Sequence, residues 1–355
     1  MLSHDKKTTE LINVVNNGDK TRLMELLDQG VDIEARDHTG KTALMHTLMN
    51  KRSSCNQKSS CRDLLLERGA DVQVKDKYSN SALGLAVAYG DVAGIMSLLA
   101  QGADINSTNN TRSTPLIIAA RFSRLACLKQ LLENNAAKDS KNNHGQTALI
   151  MAAGKGAVDC VQELLVAGVD TKKKDSNGLT ALMYAIWHKK EKCVEALVAS
   201  GESIYERTHT GWTALMYAVR HKSIRFIKTL LQQSYNITAR TDYGNTAFSI
   251  ASRGNGASVE TILGLLADAH HANRFVRRIR RRLQRISTGR KSYRASILQR
   301  LIADFRKKQI VRKKKIVLIQ ARARGNIVRM KSPKKHNRDV RRLALENGKS
   351  PSLSI

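Results

Sequence analysis

Apolar and polar positions along this chain return in a block that repeats every 33 residues. A phrase opening on threonine recurs as Thr42-Ala43-Leu44-Met45, Thr114-Pro115-Leu116-Ile117, Thr147-Ala148-Leu149-Ile150, Thr180-Ala181-Leu182-Met183 and Thr213-Ala214-Leu215-Met216. Taking its first residue as an anchor gives Thr9, Thr42, Ser81, Thr114, Thr147, Thr180, Thr213 and Thr246, spaced by 33 residues except for one step of 39. Seventeen residues after the anchor comes an apolar pair: Leu26-Leu27, Leu98-Leu99, Leu131-Leu132, Leu164-Leu165, Leu197-Val198 and Leu230-Leu231. Gly30-Val31-Asp32, Gly69-Ala70-Asp71, Gly102-Ala103-Asp104 and Gly168-Val169-Asp170 then follow in phase, and glycine there can end a helix in the left-handed conformation that other residues resist. The pattern predicts turn, helix, turn, helix and cap in each unit. So short a unit buries its apolar face only against a neighbour, so the expected architecture is an all-α solenoid of about eight helix-turn-helix units.

A unit of this length, opening on a Thr-Pro-Leu-His-like phrase and closing on Leu-Leu-x-x-Gly-Ala-Asp, resembles the ankyrin repeat. The resemblance covers residues 8–268 and implies β-turn fingers between units and a concave face that binds proteins. The departures are specific. The family's histidine is replaced throughout, by Met45, Gly84, Ile117, Ile150, Met183, Met216 and Ser249. The six extra residues of the second repeat fall around Lys51 to Cys61 and are expected in the turn between its helices. In the last repeat Leu265-Leu266 arrives two residues late, after Gly254-Asn255-Gly256, as suits a terminal cap.

Cys127, Cys160 and Cys193 share one repeat position, thirteen residues after their anchors, and read as small hydrophobes filling the stack rather than as ligands. Cys55 and Cys61 lie in the insertion, and with no second pair or histidine cluster beside them a zinc site has little support. No apolar run approaches the length of a membrane span and no signal peptide opens the chain. There is no glycine-rich phosphate loop and no nucleophile elbow. The expectation is therefore a non-enzymatic, cofactor-free, cytoplasmic interaction protein, a monomer.

Charge divides the chain unevenly. Residues 271–355 hold 28 Lys and Arg against Asp304, Asp339 and Glu346, which is +25 of the total +31. Such an arm meets something acidic: a protein, nucleic acid or an anionic membrane. Phe275, Ile279, Leu283 and Ile286, and later Ile316, Ile319, Ala323, Ile327 and Met330, keep helical spacing. They predict a basic helical arm over 269–332, ended by Pro333, and a disordered basic tail over 333–355. Within it Ile319-Gln320, Arg324-Gly325 and Arg329 resemble an IQ motif over 319–329, with Ser332 departing from the apolar position that trails the pattern. The resemblance implies calmodulin or a calmodulin-like light chain as partner, an acidic EF-hand protein that grips basic amphipathic helices. Ile319 would enter the groove, Gln320 would bond backbone, Arg324 and Arg329 would meet carboxylates, and Gly325 would allow close approach. Weaker copies start at Leu283 and Leu298. An ankyrin array followed by an IQ motif is inversin-like in domain order, which suggests the cytoskeleton or cilium. Two alternatives run through the same arm. Arg277, Arg278 and Arg280 to Arg282 can neutralise nucleic-acid phosphates, with Lys313-Lys314-Lys315 as a nuclear import signal, or the helix lies on an anionic membrane until calmodulin removes it.

The repeats offer a second surface. Positions four, seven and eight after each anchor place Tyr89, Phe122, Met151, Tyr184, Trp187, His188, Tyr217, Arg220 and His221 on the expected concave side. Only 4% of the chain is aromatic, so the gathering of Tyr184, Trp187, Trp212 and Tyr217 in two repeats marks a hot spot. For Tyr184 and Tyr217 the competing role is to cover neighbouring helices.

Overall fold

Seven of the eight anchors stand immediately before a helix as its N-cap, in extended backbone. In six of them the side chain accepts a hydrogen bond from the third helical N–H, as Thr114 does from Ile117 and Thr246 from Ser249, which satisfies a donor the helix leaves orphaned. Thr42 makes no such bond. Thr9 differs again. It lies inside the first helix, which starts earlier than the repeat spacing predicts.

The computed structural model describes residues 4–49, 56–201, 205–232, 236–253 and 258–270. The chain falls into two units, Met1–His271 and Ala272–Ile355, and the described residues belong to the first. The arm over 269–332 beyond residue 270, the tail over 333–355 and the IQ-like residues Ile319, Gln320, Arg324, Gly325 and Arg329 lie outside them, as do Cys55 and most of the insertion.

The repeats supply the helix pairs α1 (His4–Asn17) with α2 (Lys20–Asp28), α3 (Ala43–Leu48) with α4 (Asn56–Glu67), and α5 (Ala82–Tyr89) with α6 (Val92–Ala100). There follow α7 (Pro115–Arg121) with α8 (Leu125–Glu133), α9 (Ala148–Lys155) with α10 (Val158–Val166), and α11 (Ala181–Trp187) with α12 (Glu191–Ser200). The last two pairs are α13 (Ala214–Arg220) with α14 (Ile224–Leu231), and α15 (Ala247–Ser252) with a helix over 258–270. Among the described residues extended pairing is confined to two isolated bridges, Lys75 with Ser81 and Arg207 with Thr213.

Each helix packs mainly on its equivalents one repeat away and on its own partner. The core runs along the stack rather than around a centre. Leu44, Leu83, Leu116, Leu149, Leu182 and Leu215 are buried from the first helices, and Leu26, Leu98, Leu131, Leu164, Leu197 and Leu230 from the second. Five residues after the anchor stand Ala86, Ala119, Ala152, Ala185, Ala218 and Ala251, all buried; a methyl there lets successive first helices approach closely. Gly30, Gly69, Gly102 and Gly168 follow the second helices at φ of +74 to +81°, the left-handed conformation expected of them.

The insertion is divided differently from expectation. Helix α4 begins at Asn56, so Cys61 belongs to the helix and not to the turn. Once the six extra residues are subtracted, it occupies the same repeat position as Cys127, Cys160 and Cys193, and like them it is buried. Burial pushes the Cys127, Cys160 and Cys193 thiols up, Cys160 to about 11 with Asp159 and Cys193 adding to the effect. These are packing groups.

Candidate functional site

The turns that precede the first helices are built alike. Five residues before the anchor an Asp or Asn, or Thr208 and Thr241 in the last two repeats, folds back on its own backbone: Asp175 Oδ1 accepts from Asn177 N–H at 2.9 Å and Leu179 N–H at 2.7 Å, and Asp76 does the same for Tyr78 and Asn80. Between repeats the turns are joined by backbone bonds, Asn110 N–H to Tyr78 C=O at 3.1 Å, Asn143 N–H to Thr111 C=O at 2.9 Å and Ser176 N–H to His144 C=O at 3.0 Å. This ladder and the first helices form one continuous face.

On that face the aromatic residues of repeats six and seven meet. The Trp212 and Tyr217 rings lie 5.2 Å apart, Tyr217 and Trp187 5.7 Å, and Trp187 and His221 5.7 Å, the last edge to face. The Arg220 guanidinium sits over the Trp212 ring at 5.4 Å, a cation–π contact. One repeat back, Tyr184 stacks on His188 at 6.0 Å. The four aromatics are not equivalent. Tyr217 is only 8% exposed and packs as core, which corrects the expectation of a surface residue. Tyr184 is half-buried, and its hydroxyl donates to Asp175 Oδ2 and accepts from Gln146 Nε2, both at 2.9 Å. Burial and the nearby Asp175 push its phenol up while Gln146 opposes them. Trp212 is half-buried. Trp187 remains 47% exposed.

Trp187, Tyr184 and His188 line a groove of about 260 Å³ together with Asn177 and Leu179. A second depression, of about 500 Å³, lies in repeats three and four and includes Tyr89, Arg121 and Phe122; Phe122 is 50% exposed. Met151, in the repeat between, is half-buried against the core. His221 is partly covered, its Nε2 is buried without a hydrogen-bond partner, and burial together with Lys189 and Arg220 lowers its pKa. Sequence reasoning missed the groove wall Asn177 and Leu179, and the Asp175–Tyr184–Gln146 chain that ties repeat six to repeat five. An acidic residue five before the anchor, read against a tyrosine four after it, is the signal that could have found the latter. Among the described residues no cluster of His, Cys, Asp or Glu has the geometry of a metal site, and no helix is long and apolar enough to cross a membrane.

A surface of half-exposed aromatics and cations on a stacked helical scaffold defines a binding module. The pattern of the family described as Ankyrin repeats (3 copies) matches residues 11–109, 51–142, 116–208 and 200–274, and the chain belongs to the ankyrin repeat family, whose stacks are interaction domains rather than enzymes. Among solved structures it is similar to the crystal structure of the human ASB11 ankyrin repeat domain, at 25% identity and a TM-score of 0.56, covering 64% of this chain and 98% of that one. No protein of curated function matches the chain in sequence.

Proposed function

We propose that this protein is an adaptor with two binding elements. The first-helix face of the stack holds a protein partner, and the basic arm holds calmodulin or another EF-hand protein through Ile319, Gln320, Arg324, Gly325 and Arg329. The observation that carries the first part is the half-exposed Trp187 set against Tyr217 and His221 beside an open groove, since large rigid aromatics of this kind dominate interface energetics. Support for the second is the match of all five principal IQ positions within a strongly basic segment. The domain order, and with it a place at the cytoskeleton or cilium, rests on the same resemblance.

One experiment addresses each element. A photoreactive benzoylphenylalanine at position 187 of the full chain should crosslink to a protein in cells, and the same probe at Glu133, on the second-helix side, should not. Full-length protein titrated with calmodulin, in calcium and in chelator at physiological salt, should bind in the submicromolar range, and Ile319→Ala with Gln320→Ala should abolish it. Equal binding by the double variant would reduce the motif to charge and bring nucleic acid or membrane forward.

A further inference from the structure

We infer that the partner of the stack presents an acidic, extended polypeptide segment carrying apolar anchors; this rests on the adaptor reading above and gives it a chemistry. The observation is the edge where first helices turn into second helices. In repeats four to seven this edge comprises residues 121–124, 154–157, 187–190 and 220–223. Seven of these sixteen are Lys or Arg, two more are His, and none is Asp or Glu. Arg121, Lys155, Lys189 and Arg220 are exposed.

The second helices show what the stack does with charge when no ligand is involved. There Arg225 pairs with both Glu191 and Glu195, Lys129 with Glu163 at 3.4 Å, and Arg68 with Asp28 at 2.8 Å. Several cations on that side, though not Lys192 or Lys228, are neutralised from the adjacent repeat. On the edge, among the described residues, no carboxylate forms a salt bridge with Arg121, Lys155, Lys189 or Arg220. Same-sign charges in successive repeats repel one another, and the contacts that Arg121 and Arg220 make are with the rings of Phe122 and Trp212 rather than with a carboxylate. An acidic ligand would offset the repulsion.

Interleaved with these cations are Phe122 and Trp187, about half exposed, each beside one of the two depressions. Carboxylates alternating with apolar side chains along an extended segment fit this alternation, the former on Arg and Lys as charge-assisted hydrogen bonds and the latter in the grooves. The chain's own arm, at +25, carries the same sign of charge as the edge and lacks the carboxylates this occupant requires, having three acids in 85 residues. A phosphate polymer is drawn instead to the arm, where cations are four times as numerous, 28 against seven.

The test selects ligands for the full-length chain from a display library of short disordered peptides. Each hit is then measured against three variants: Arg121→Gln with Lys189→Gln and Arg220→Gln, Trp187→Ala, and an arm control of Arg277→Gln with Arg278→Gln and Arg280→Gln. The expected hits carry several Asp or Glu and at least one aromatic or aliphatic residue. They lose about tenfold or more in affinity in both the edge variant and Trp187→Ala, lose less than about twofold in the arm control, and weaken as salt rises. Unchanged thermal melts of the edge variant, whose three positions are exposed, exclude loss of fold. Hits that need Trp187 but are neutral or basic would overturn the inference and leave the adaptor reading standing. Hits that need neither Trp187 nor the three cations would overturn both. A single-stranded oligodeoxynucleotide that competes with the peptides and is lost in the edge variant would put phosphate in the place assigned to carboxylate.

Discussion

Replacing Tyr184 with phenylalanine removes one oxygen atom and, with it, the two side-chain bonds that link Asp175 in its own turn to Gln146 of the repeat before. Asp175 Oδ2 loses its 2.9 Å donor and Gln146 Nε2 its 2.9 Å acceptor. Asp175 is 5% exposed, so a charged oxygen is left in a covered site, and a hydrogen bond to a charged group contributes about 1.5–3 kcal/mol. Two features reduce that figure. Asp175 Oδ1 keeps its bonds to Asn177 and Leu179, and Tyr184 is only half-buried, so water can take the place of the hydroxyl. The expected cost is about 1–2 kcal/mol. In a stack this cost belongs to one interface between neighbouring repeats rather than to a global core. Native-state hydrogen exchange is therefore the assay of choice: amides of α9 to α12 should exchange roughly 5–30-fold faster, with α1 to α4 little changed. A cycle with Gln146→Ala should show coupling between the two positions. Tyr89→Phe serves as the control, because the Tyr89 hydroxyl lacks such a pair of bonds, and its expected cost is below about 0.5 kcal/mol. If Tyr184→Phe costs no more than Tyr89→Phe, the chain from Asp175 to Gln146 is not what holds these repeats together.

Two further outcomes follow from the same coordinates. Burial alone would raise the Asp37 carboxyl, but the Thr39 hydroxyl, the Lys41 N–H, His46 and the Thr39 N–H together hold it well below the usual carboxylate range. The unfolded chain therefore takes up this proton first, so the contribution is fully present above about pH 5 and is lost as pH falls further; the stability gap between the parent and Asp37→Asn should shrink between about pH 5 and pH 2 in denaturant titrations, and a constant gap would refute it. The second concerns Cys61, Cys127, Cys160 and Cys193, all buried: iodoacetamide at about pH 8 should modify them only on unfolding, as mass spectrometry of native and denatured samples would show, and rapid native labelling of any one would contradict the packing role.

The stack was legible in the sequence because each of its determinants is local and repeated. An anchor threonine caps a helix within its own unit, and a leucine pair seventeen residues on meets the same neighbours in every unit, so the period alone carried both. Errors arose where the unit is interrupted. Thr9 has the spacing of an anchor but sits within α1, which begins five residues before it at His4. Cys61 lies by spacing in the insertion, yet it continues the cysteine position once the added residues are removed, because α4 extends at its N-terminus to Asn56 and takes up part of the insertion. At the surface, spacing assigns a direction to each side chain but not its neighbours. Tyr184 and Tyr217 occupy equivalent positions, four after their anchors, and have different surroundings: one reaches Asp175 across the turn, and the other is closed over by Trp187 and Trp212. Part of the difference is local, since Asp175 stands where the unit of Tyr217 has Thr208; the rest, Gln146 for Tyr184 and Trp187 for Tyr217, comes from the adjacent repeat.

The comparison of repeats within the chain also separates what holds the stack from what the stack presents. Positions one, two and five after the anchor scarcely vary, because they are buried between successive first helices, where a larger residue would force the helices apart. Seven to nine positions after the anchor most side chains are open to water, and composition there answers to solvent or to a ligand. A stack under selection for stability alone would intersperse acids among its cations there, as its second helices do with Glu191, Glu195 and Glu163. Repeats four to seven instead repeat one sign of charge on the edge and leave Phe122 and Trp187 half open to water. Both features oppose stability in the free protein, one through repulsion and the other through exposed apolar area, and an acidic segment with apolar anchors relieves the two together.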